Sequence, residues 1–347
     1  PGDFSARLID WHLRHGRHDL PWQASRDPYR IWLSEVMLQQ TQVATVIPYY
    51  ARFLARFPEV GALAAAPVEE VMALWSGLGY YARARNLHRA ARKVAEEYGG
   101  RFPATAAALA DLPGVGRSTA AAIAAFASDE RAAILDGNVK RVLCRAFGVE
   151  GFPGERAVEE RLWALAESLL PARPAEIGPY IQAQMDLGAT VCTRARPACG
   201  RCPLAASCVA HASGRVAELP ARRARKTPPR RHSRVAVIVH DNSALLERRP
   251  PAGIWGGLLA LPEIPPDADI RAWAARALGC KGVDARELPP LVHGFTHFTL
   301  EISPWRIDLP ALPRVLAEPA WLWLRLGDIA AAALPAPVRR ILESLTE

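Results

Sequence analysis

No stretch of this 347-residue chain approaches the roughly 18 consecutive apolar residues of a membrane span, although half of its residues are hydrophobic. The opening residues carry no basic-then-apolar leader, because Trp11, Leu13, Leu20 and Trp22 are interrupted by His and Arg. A membrane partner is not expected, and the setting read from the sequence is cytoplasmic. Cysteine is scarce and unevenly placed: four of the six, Cys192, Cys199, Cys202 and Cys208, fall within seventeen residues. A disulfide framework would spread its cysteines along the chain, so that class is excluded and a reducing compartment is the natural one. Cys144 and Cys280 stand alone and read as small core hydrophobes. Lysine is rare too, at four of the 43 basic residues (Lys93, Lys140, Lys226 and Lys281). An Arg bias of this kind can follow from genome composition and is not read as adaptation.

What the chain does carry is positive charge. Its 43 basic and 35 acidic residues leave a net +8, which suits a polyanionic partner without naming one. The length has room for two ordinary domains, each with its own core. Residues 1–213 read as helical. Pro28-Tyr29-Arg30 starts a helix carrying Ile31, Trp32, Val36 and Leu38, and further helices are expected at 45–57, 68–76, 82–98, 105–111, 117–127, 138–147, 155–170 and 179–188. Repeated Gly and Pro cut these into many short helices rather than a long bundle. Residues 214–231 read as a basic linker in which Arg215, Arg222, Arg223, Arg225, Lys226, Arg230 and Arg231 stand against Glu218 alone, a net of +6. From 232 to 347 the pattern alternates, with strands expected at 235–239, 244–246, 254–261, 297–302 and 321–324 and helices near 267–278 and 337–345. The expected architecture is multidomain: an all-α domain, then a separate α+β domain.

The most informative run is Leu112-Pro113-Gly114-Val115-Gly116-Arg117-Ser118-Thr119-Ala120. Glycines on either side of an apolar residue let the backbone N–H groups of Gly114, Val115 and Gly116 approach an anion where a helix begins, and the helix dipole favours negative charge there. Asp136 follows eighteen residues after Ser118. The plain alternative is that Asp136-Gly137-Asn138 is a turn and an N-cap. Glu35 lies four residues after Ile31 and three before Leu38, so it shares a helix face with apolar residues. Burial there would raise its pKa, the condition for a general acid near neutrality; a surface carboxylate or an ion pair with an Arg is the plain alternative. Cys192-x6-Cys199-x2-Cys202-x5-Cys208 makes a closed site that zinc or a cubane iron–sulfur cluster could occupy, and the spacing alone does not decide between them.

The Gly-Val-Gly run with its distant aspartate resembles the helix-hairpin-helix module of base-excision DNA glycosylases of the endonuclease III superfamily. Trp32-Leu33-Ser34-Glu35-Val36-Met37-Leu38-Gln39-Gln40-Thr41-Gln42-Val43, Leu20-Pro21-Trp22, Gly77-Leu78-Gly79-Tyr80-Tyr81-Ala82-Arg83-Ala84-Arg85-Asn86-Leu87 and Leu135-Asp136-Gly137-Asn138-Val139 resemble the MutY family of adenine DNA glycosylases, and the likeness runs nearly end to end. The resemblance implies Glu35 as the acid that protonates adenine, Asp136 as the second catalytic carboxylate and Asn138 as a hydrogen-bonding group in the same centre. It implies that the adenine is flipped out of the duplex. Leu20, Trp22 and Ser118 would then sit near the adenine pocket, Gln39 and Gln40 would fill the vacated space, and Tyr80 would wedge beside the opposite base. Read without the family, Tyr80 and Trp22 are core aromatics and the two glutamines a helix end. The cysteine pattern resembles the 4Fe-4S loop of the same superfamily, which implies a 4Fe-4S cluster on Cys192, Cys199, Cys202 and Cys208, with Arg194, Arg196 and Arg201 turned to phosphates.

Where lyase-competent relatives carry a nucleophilic lysine, this chain has Ser118, which implies hydrolysis without a Schiff base. The C-terminal part resembles the Nudix-like domain of the family but lacks an Arg-Glu…Glu-Glu array after Gly256-Gly257, so Mg²⁺-dependent diphosphate hydrolysis is not expected. The family reads 8-oxoguanine through Phe-Ser-His; here the run is Phe295-Thr296-His297, whose added methyl group bears on lesion fit. His18, before Asp19-Leu20-Pro21-Trp22, departs from an Arg found in some relatives. The implied protein is a monomeric, nucleoid-associated bacterial enzyme that releases adenine opposite 8-oxoguanine or guanine in double-stranded DNA. Its rivals are an oxidised-pyrimidine glycosylase with lyase activity, which Ser118 and the extra C-terminal domain argue against and which adventitious trapping of the abasic product by Lys140 near Asp136 would not revive, and a non-catalytic DNA-binding protein.

Overall fold

The computed structural model describes residues 2–223, 228–251, 253–279, 283–295, 297–312 and 320–346. Arg225, Lys226, Cys280, Lys281 and Thr296, singled out above, lie outside them. Contacts divide the chain into two units, Pro1–Ala65 with Asn86–Arg225 and Ala66–Arg85 with Lys226–Glu347.

Helices succeed one another through the first 212 residues: α1 (Gly2–His15), α2 (Pro28–Leu38), α3 (Val43–Arg56), α4 (Val60–Ala65), α5 (Val68–Trp75), α6 (Ala82–Glu97), α7 (Ala106–Ala110), α8 (Arg117–Ser128), α9 (Gly137–Phe147), α10 (Arg156–Ser168), α11 (Ile177–Asp186) and α12 (Val209–Ala212). Each helix expected from periodicity is present. Local chemistry explains their ends. Asp27 caps α2 by accepting from the Tyr29 N–H at 2.9 Å, with Pro28 as the first helical residue. Gly148 closes α9 at φ +65°. Helix α1 was not expected; in it Arg14 and His15, which argue against a leader, are exposed while Leu8, Trp11 and His12 turn inward.

The first unit is built around α8. Ala120, Ala121, Ala122, Ala124 and Ala125 are all but fully buried, and side chains this small let α2, α7 and α11 pack directly against it. One core joins Leu8 and Trp11 of α1 to Val139, Val142 and Leu143 of α9, Leu162 of α10 and Tyr180 and Ile181 of α11.

In the second unit a mixed sheet runs β3-β2-β1-β7-β5 through β1 (Arg230–His240), β2 (Ser243–Arg248), β3 (Leu259–Ala260), β5 (Ala285–Glu287) and β7 (Thr299–Asp308). The short strands β4 (Glu263–Ile264), β6 (Leu291–Gly294) and β8 (Trp321–Arg325) pair with β1, β7 and β2. β1 and β7 are parallel, from Arg230 opposite Thr299 to Val239 opposite Asp308. Both faces of β1 are covered: Val235, Val237 and Val239 join the core under α14 (Ala336–Glu343), and Ala236 and Ile238 the core under α13 (Ile270–Leu278). The sheet therefore has a helix on each face.

Two strand expectations are corrected. Of 254–261 only Leu259 and Ala260 are extended, since Gly253, Trp255 and Gly257 adopt φ of +87°, +56° and +78° and make a turn. His297 lies in the turn between β6 and β7, closed by the Phe295 N–H on the Phe298 carbonyl at 2.8 Å, and the strand begins at Thr299. Leu162→Ala is expected to cost about 2–5 kcal/mol in denaturant unfolding, whereas Leu13→Ala, at a site 64% exposed, should stay within about 0.5 kcal/mol.

Candidate active site

Glu35 projects from an α2 whose flanking residues Trp32, Leu33, Ser34, Val36 and Met37 are buried. Glu35 keeps some solvent access, yet desolvation, with the negative charge of Asp136 added, pushes its carboxyl up to about 8. Asp136 caps α9, its Oδ1 accepting from the Val139 N–H at 2.8 Å, so the plain capping role is real. Burial raises the Asp136 pKa, while backbone donors at Val139 and Asn138 and the charges of Arg141 and Lys140 oppose that rise. The fold thus brings two carboxyl groups into one electrostatic field, both with raised pKa, and groups that oppose the rise are present only at Asp136.

Several contacts hold Asp136 in place. Ser118, in the first turn of α8, accepts the Leu135 N–H on its Oγ at 2.9 Å and so pins the segment leading into the aspartate. Asn138 is held by Arg141, one helical turn on, whose Nη2 donates to Asn138 Oδ1 and to the Gly188 carbonyl, both at 2.8 Å. A Cβ at Gly188 would lie 2.5 Å from the Asn138 Cβ, so only glycine permits this approach. Arg141 Nε also donates to the Cys192 carbonyl at 2.8 Å. Arg145, another turn along α9 and 3% exposed, donates to the carbonyls of Leu219 and Thr193 at 2.9 and 2.8 Å and reaches Cys192 Sγ at 3.4 Å. Arg141, Arg145 and Gly188 were not singled out in the sequence. Helical spacing from Asn138 points to Arg141, but nothing local points to Gly188. Lys140 is committed to Glu159 of α10 at 2.5 Å.

The four clustered cysteines line one cavity with Arg145 and His211. Among the described residues no group of three or more His, Cys, Asp or Glu side chains closes around a single metal ion. Four thiols around one shared cavity are a donor set of the kind that holds zinc or an iron–sulfur cluster.

Leu20 and Trp22 are buried, each 7% exposed. Their loop is tied down by Arg17, whose backbone N–H and Nε donate to the fully buried Asp186 at 2.9 and 2.8 Å. Gln23 adds bonds to the Leu20 N–H and the Arg17 carbonyl. Trp22 meets Tyr50 edge-on at 5.6 Å. His18 reaches the His12 carbonyl with Nε2 at 2.9 Å. Gln39 does end α2, and its amide donates to Thr119 Oγ1 at 3.3 Å and the Gly114 carbonyl at 3.4 Å, while Gln40 is exposed at φ +58°. Gly114 takes φ +79° with Asn86 where a Cβ would stand; Gly114 and Gly116 are exposed at the head of α8, while the Val115 N–H is held by the Leu112 carbonyl at 3.0 Å.

In the second unit, Tyr80 is 48% exposed and is no core aromatic. Its loop is stiff: Gly77, Gly79 and Tyr80 have φ of +95°, +76° and +49°, Trp75 Nε1 donates to the Gly79 carbonyl at 3.0 Å, and Arg83 donates to the carbonyls of Leu78 and Gly79. The Arg83 guanidinium lies 5.5 Å from the Tyr80 ring, and burial lowers its pKa to about 10 with Tyr80 opposing. Phe295 stacks on Phe298 at 4.4 Å and meets His293 edge-on at 4.8 Å, and His297 is exposed.

A helical unit with a glycine-lipped hairpin and a half-buried carboxyl pair defines a class. The family model for helix-hairpin-helix GPD superfamily base excision DNA repair proteins matches residues 33–168, and a Nudix domain model matches residues 234–344. A thermostable thymine-DNA glycosylase superposes with a TM-score of 0.54 at 31% identity, over 60% of this chain and 95% of that one. Endonuclease III in a non-covalent DNA complex, at 24% identity and a TM-score of 0.51 over 62% and 98%, supports the fold. Curated relatives go further. The adenine DNA glycosylase of Buchnera aphidicola subsp. Acyrthosiphon pisum is 35% identical over 98% of this chain and 97% of its own length, and that of Mus musculus 35% identical over 97% and 77%. The chain belongs to the adenine DNA glycosylase family. It is a DNA glycosylase, a base-excision-repair hydrolase whose partner is DNA, and no helix among the described residues is long and apolar enough to cross a membrane.

Ser118→Ala leaves the Leu135 N–H without its acceptor, at an expected cost of about 1–3 kcal/mol in thermal or denaturant unfolding.

Proposed function

We propose that the chain removes adenine paired with 8-oxoguanine, and also adenine paired with guanine, from duplex DNA, with residues 1–213 supplying the chemistry and 232–347 reading the opposite base. The observation that carries this reading is the carboxyl pair. Adenine is a poor leaving group as an anion, and a proton on a ring nitrogen lets it depart neutral. Glu35, held protonated at neutral pH by desolvation and by Asp136, is the donor. As the glycosidic bond stretches, the sugar gains positive charge, and anionic Asp136, kept in place by its N-cap bonds, stabilises it. Asn138, fixed by Arg141, presents a hydrogen-bonding amide beside that centre. The base reaches these groups by leaving the stack, with Leu20, Trp22 and Ser118 bordering its pocket and Gln39, Gln40 and Tyr80 entering the duplex.

The exposed backbone at Gly114 and Gly116 suits a DNA phosphate at the head of α8, whereas Val115 is buried with its N–H on the Leu112 carbonyl at 3.0 Å. Cys192, Cys199, Cys202 and Cys208 would hold a 4Fe-4S cluster, which when bound supplies a rigid cross-link for its loop. The exposed Arg194, Arg196 and Arg201 of that loop suit DNA phosphates. Phe295, Thr296 and His297 would meet the lesion base. Hydrolysis without an amine is supported by Ser118, which serves as an acceptor for Leu135, and by Lys140, which is paired with Glu159.

Glu35→Gln should abolish adenine release in single-turnover assays while retaining duplex binding; release at the native rate would remove Glu35 as the acid. For the native chain, release should fall about tenfold per unit above about pH 8, where Glu35 loses its proton, and should fall again at acid pH, where Asp136 takes one up. Stability follows the same group. Its folded pKa lies above its unfolded one, so its contribution is full at acid pH and is lost as pH rises towards about 8. In thermal unfolding Glu35→Gln should therefore gain on the native chain between about pH 5 and pH 9, and a constant difference across that range would contradict the raised pKa.

A further inference from the structure

Two loops of the second unit are assigned above to the base opposite adenine, one bearing Tyr80 and one bearing Phe295 and His297. They are far apart in sequence, yet one turn joins them. Residues 253–257 form a tight loop in which Trp255 takes φ +56°, a left-handed conformation that a bulky side chain rarely adopts. The loop is closed by the Gly257 N–H on the Pro250 carbonyl at 3.0 Å and the Leu258 N–H on the Trp255 carbonyl at 2.9 Å, and a Cβ on Gly256 would run into the Pro251 carbonyl. So held, the Trp255 ring lies 5.9 Å from Phe295 and 6.3 Å from His293, completing an aromatic cluster with Phe298. On the other side of the same turn, the Gly256 carbonyl accepts from Arg85 Nη1 at 2.5 Å. Arg85 lies in the first turn of α6, five residues after Tyr80. The near end of the Tyr80 loop is tied as well: the Leu334 carbonyl accepts from Ser76 Oγ at 3.0 Å and from Tyr81 Oη at 3.4 Å, and Arg339 donates to Ser76 Oγ at 3.1 Å.

We infer that Arg85 and Trp255 are positioning residues for recognition of the opposite base, the Trp255–Gly256 turn locking the Tyr80 loop and the Phe295–His297 loop into one reading element. This rests on the proposed reading of 8-oxoguanine by those loops. The left-handed Trp255 fits the assignment, because strain of this kind persists where a side chain must be aimed. A turn needed only for folding would be met by Gly or Asn at that position.

The test uses the full chain and duplexes with adenine opposite 8-oxoguanine or guanine, and reads the ratio of dissociation constants and of single-turnover release rates for the two. Arg85→Met and Trp255→Asn should each shrink that ratio about tenfold, and Trp255→Phe, which keeps a ring, should recover most of it. Because both residues act through one turn, the double variant should lose little more than either alone. A merely structural role would lower stability or overall activity and leave the ratio in place. Loss of the ratio in His297→Ala but not in Arg85→Met and Trp255→Asn, or additive losses in the double variant, would overturn the coupling while leaving the recognition reading standing. A native chain with no preference for 8-oxoguanine, or a preference untouched by both His297→Ala and Phe295→Ala, would overturn both.

Discussion

Two half-buried carboxyl groups in one electrostatic field cannot both be ionised without repulsion, and the helical unit is organised around that constraint. Glu35 sits on a helix face with no neighbouring cation described, so desolvation and the charge of Asp136 act in the same direction and keep its proton on. Asp136 is raised by burial too, but two backbone donors and two basic side chains oppose the rise. The asymmetry lies in the surroundings, since the groups themselves are nearly identical. A proton donor and an electrostatic stabiliser, as proposed for Glu35 and Asp136, would follow from placing one carboxyl within an apolar helix face and the other at a helix head.

Keeping that pair in register falls to contacts at some distance from it. The small residues of α8 let α2 and α11 approach closely, and Ser118 on the same helix fixes the strand-like lead into Asp136. Arg141 and Arg145 extend from α9 to the carbonyls of the segment that opens the cysteine loop, and Asp186, just before that segment, also anchors the Leu20–Trp22 loop through Arg17. Nearly all the donors of these arginines go to backbone carbonyls. Their work is to join segments distant in sequence, and a lysine could not replace their forked geometry.

Much of this was legible beforehand, for identifiable reasons. Helix positions followed from periodicity and caps, because Asp27-Pro28, Gly116 and Asp136 mark their helix starts locally. Glu35 stood out on an apolar helix face, but its role came from the resemblance of the surrounding residues to the adenine glycosylases, since periodicity alone favours a structural carboxylate. The sheet domain was less legible. The glycines of the 253–257 turn break an apolar run that reads as a strand, and short strands such as 263–264 and 285–287 depend on partners that a local pattern does not reveal. The site residues that escaped notice, Gly188, Arg141 and Arg145, act through long-range contacts. Nor did composition hint that Ala66–Arg85 groups by contact with the C-terminal residues, since hydroxyls and a guanidinium meeting the carbonyls of Leu334 and Gly256 leave no sequence pattern.

The central claim is that the carboxyl pair releases an undamaged adenine by hydrolysis, without an amine nucleophile. It is tested most directly with end-labelled duplexes carrying adenine opposite 8-oxoguanine, adenine opposite thymine, or thymine glycol opposite adenine, each treated with the protein and split with and without alkali. Strand cleavage that appears only with alkali, and only at adenine opposite 8-oxoguanine, is the predicted result. Cleavage without alkali at thymine glycol would contradict the account and point to an amine-dependent lyase.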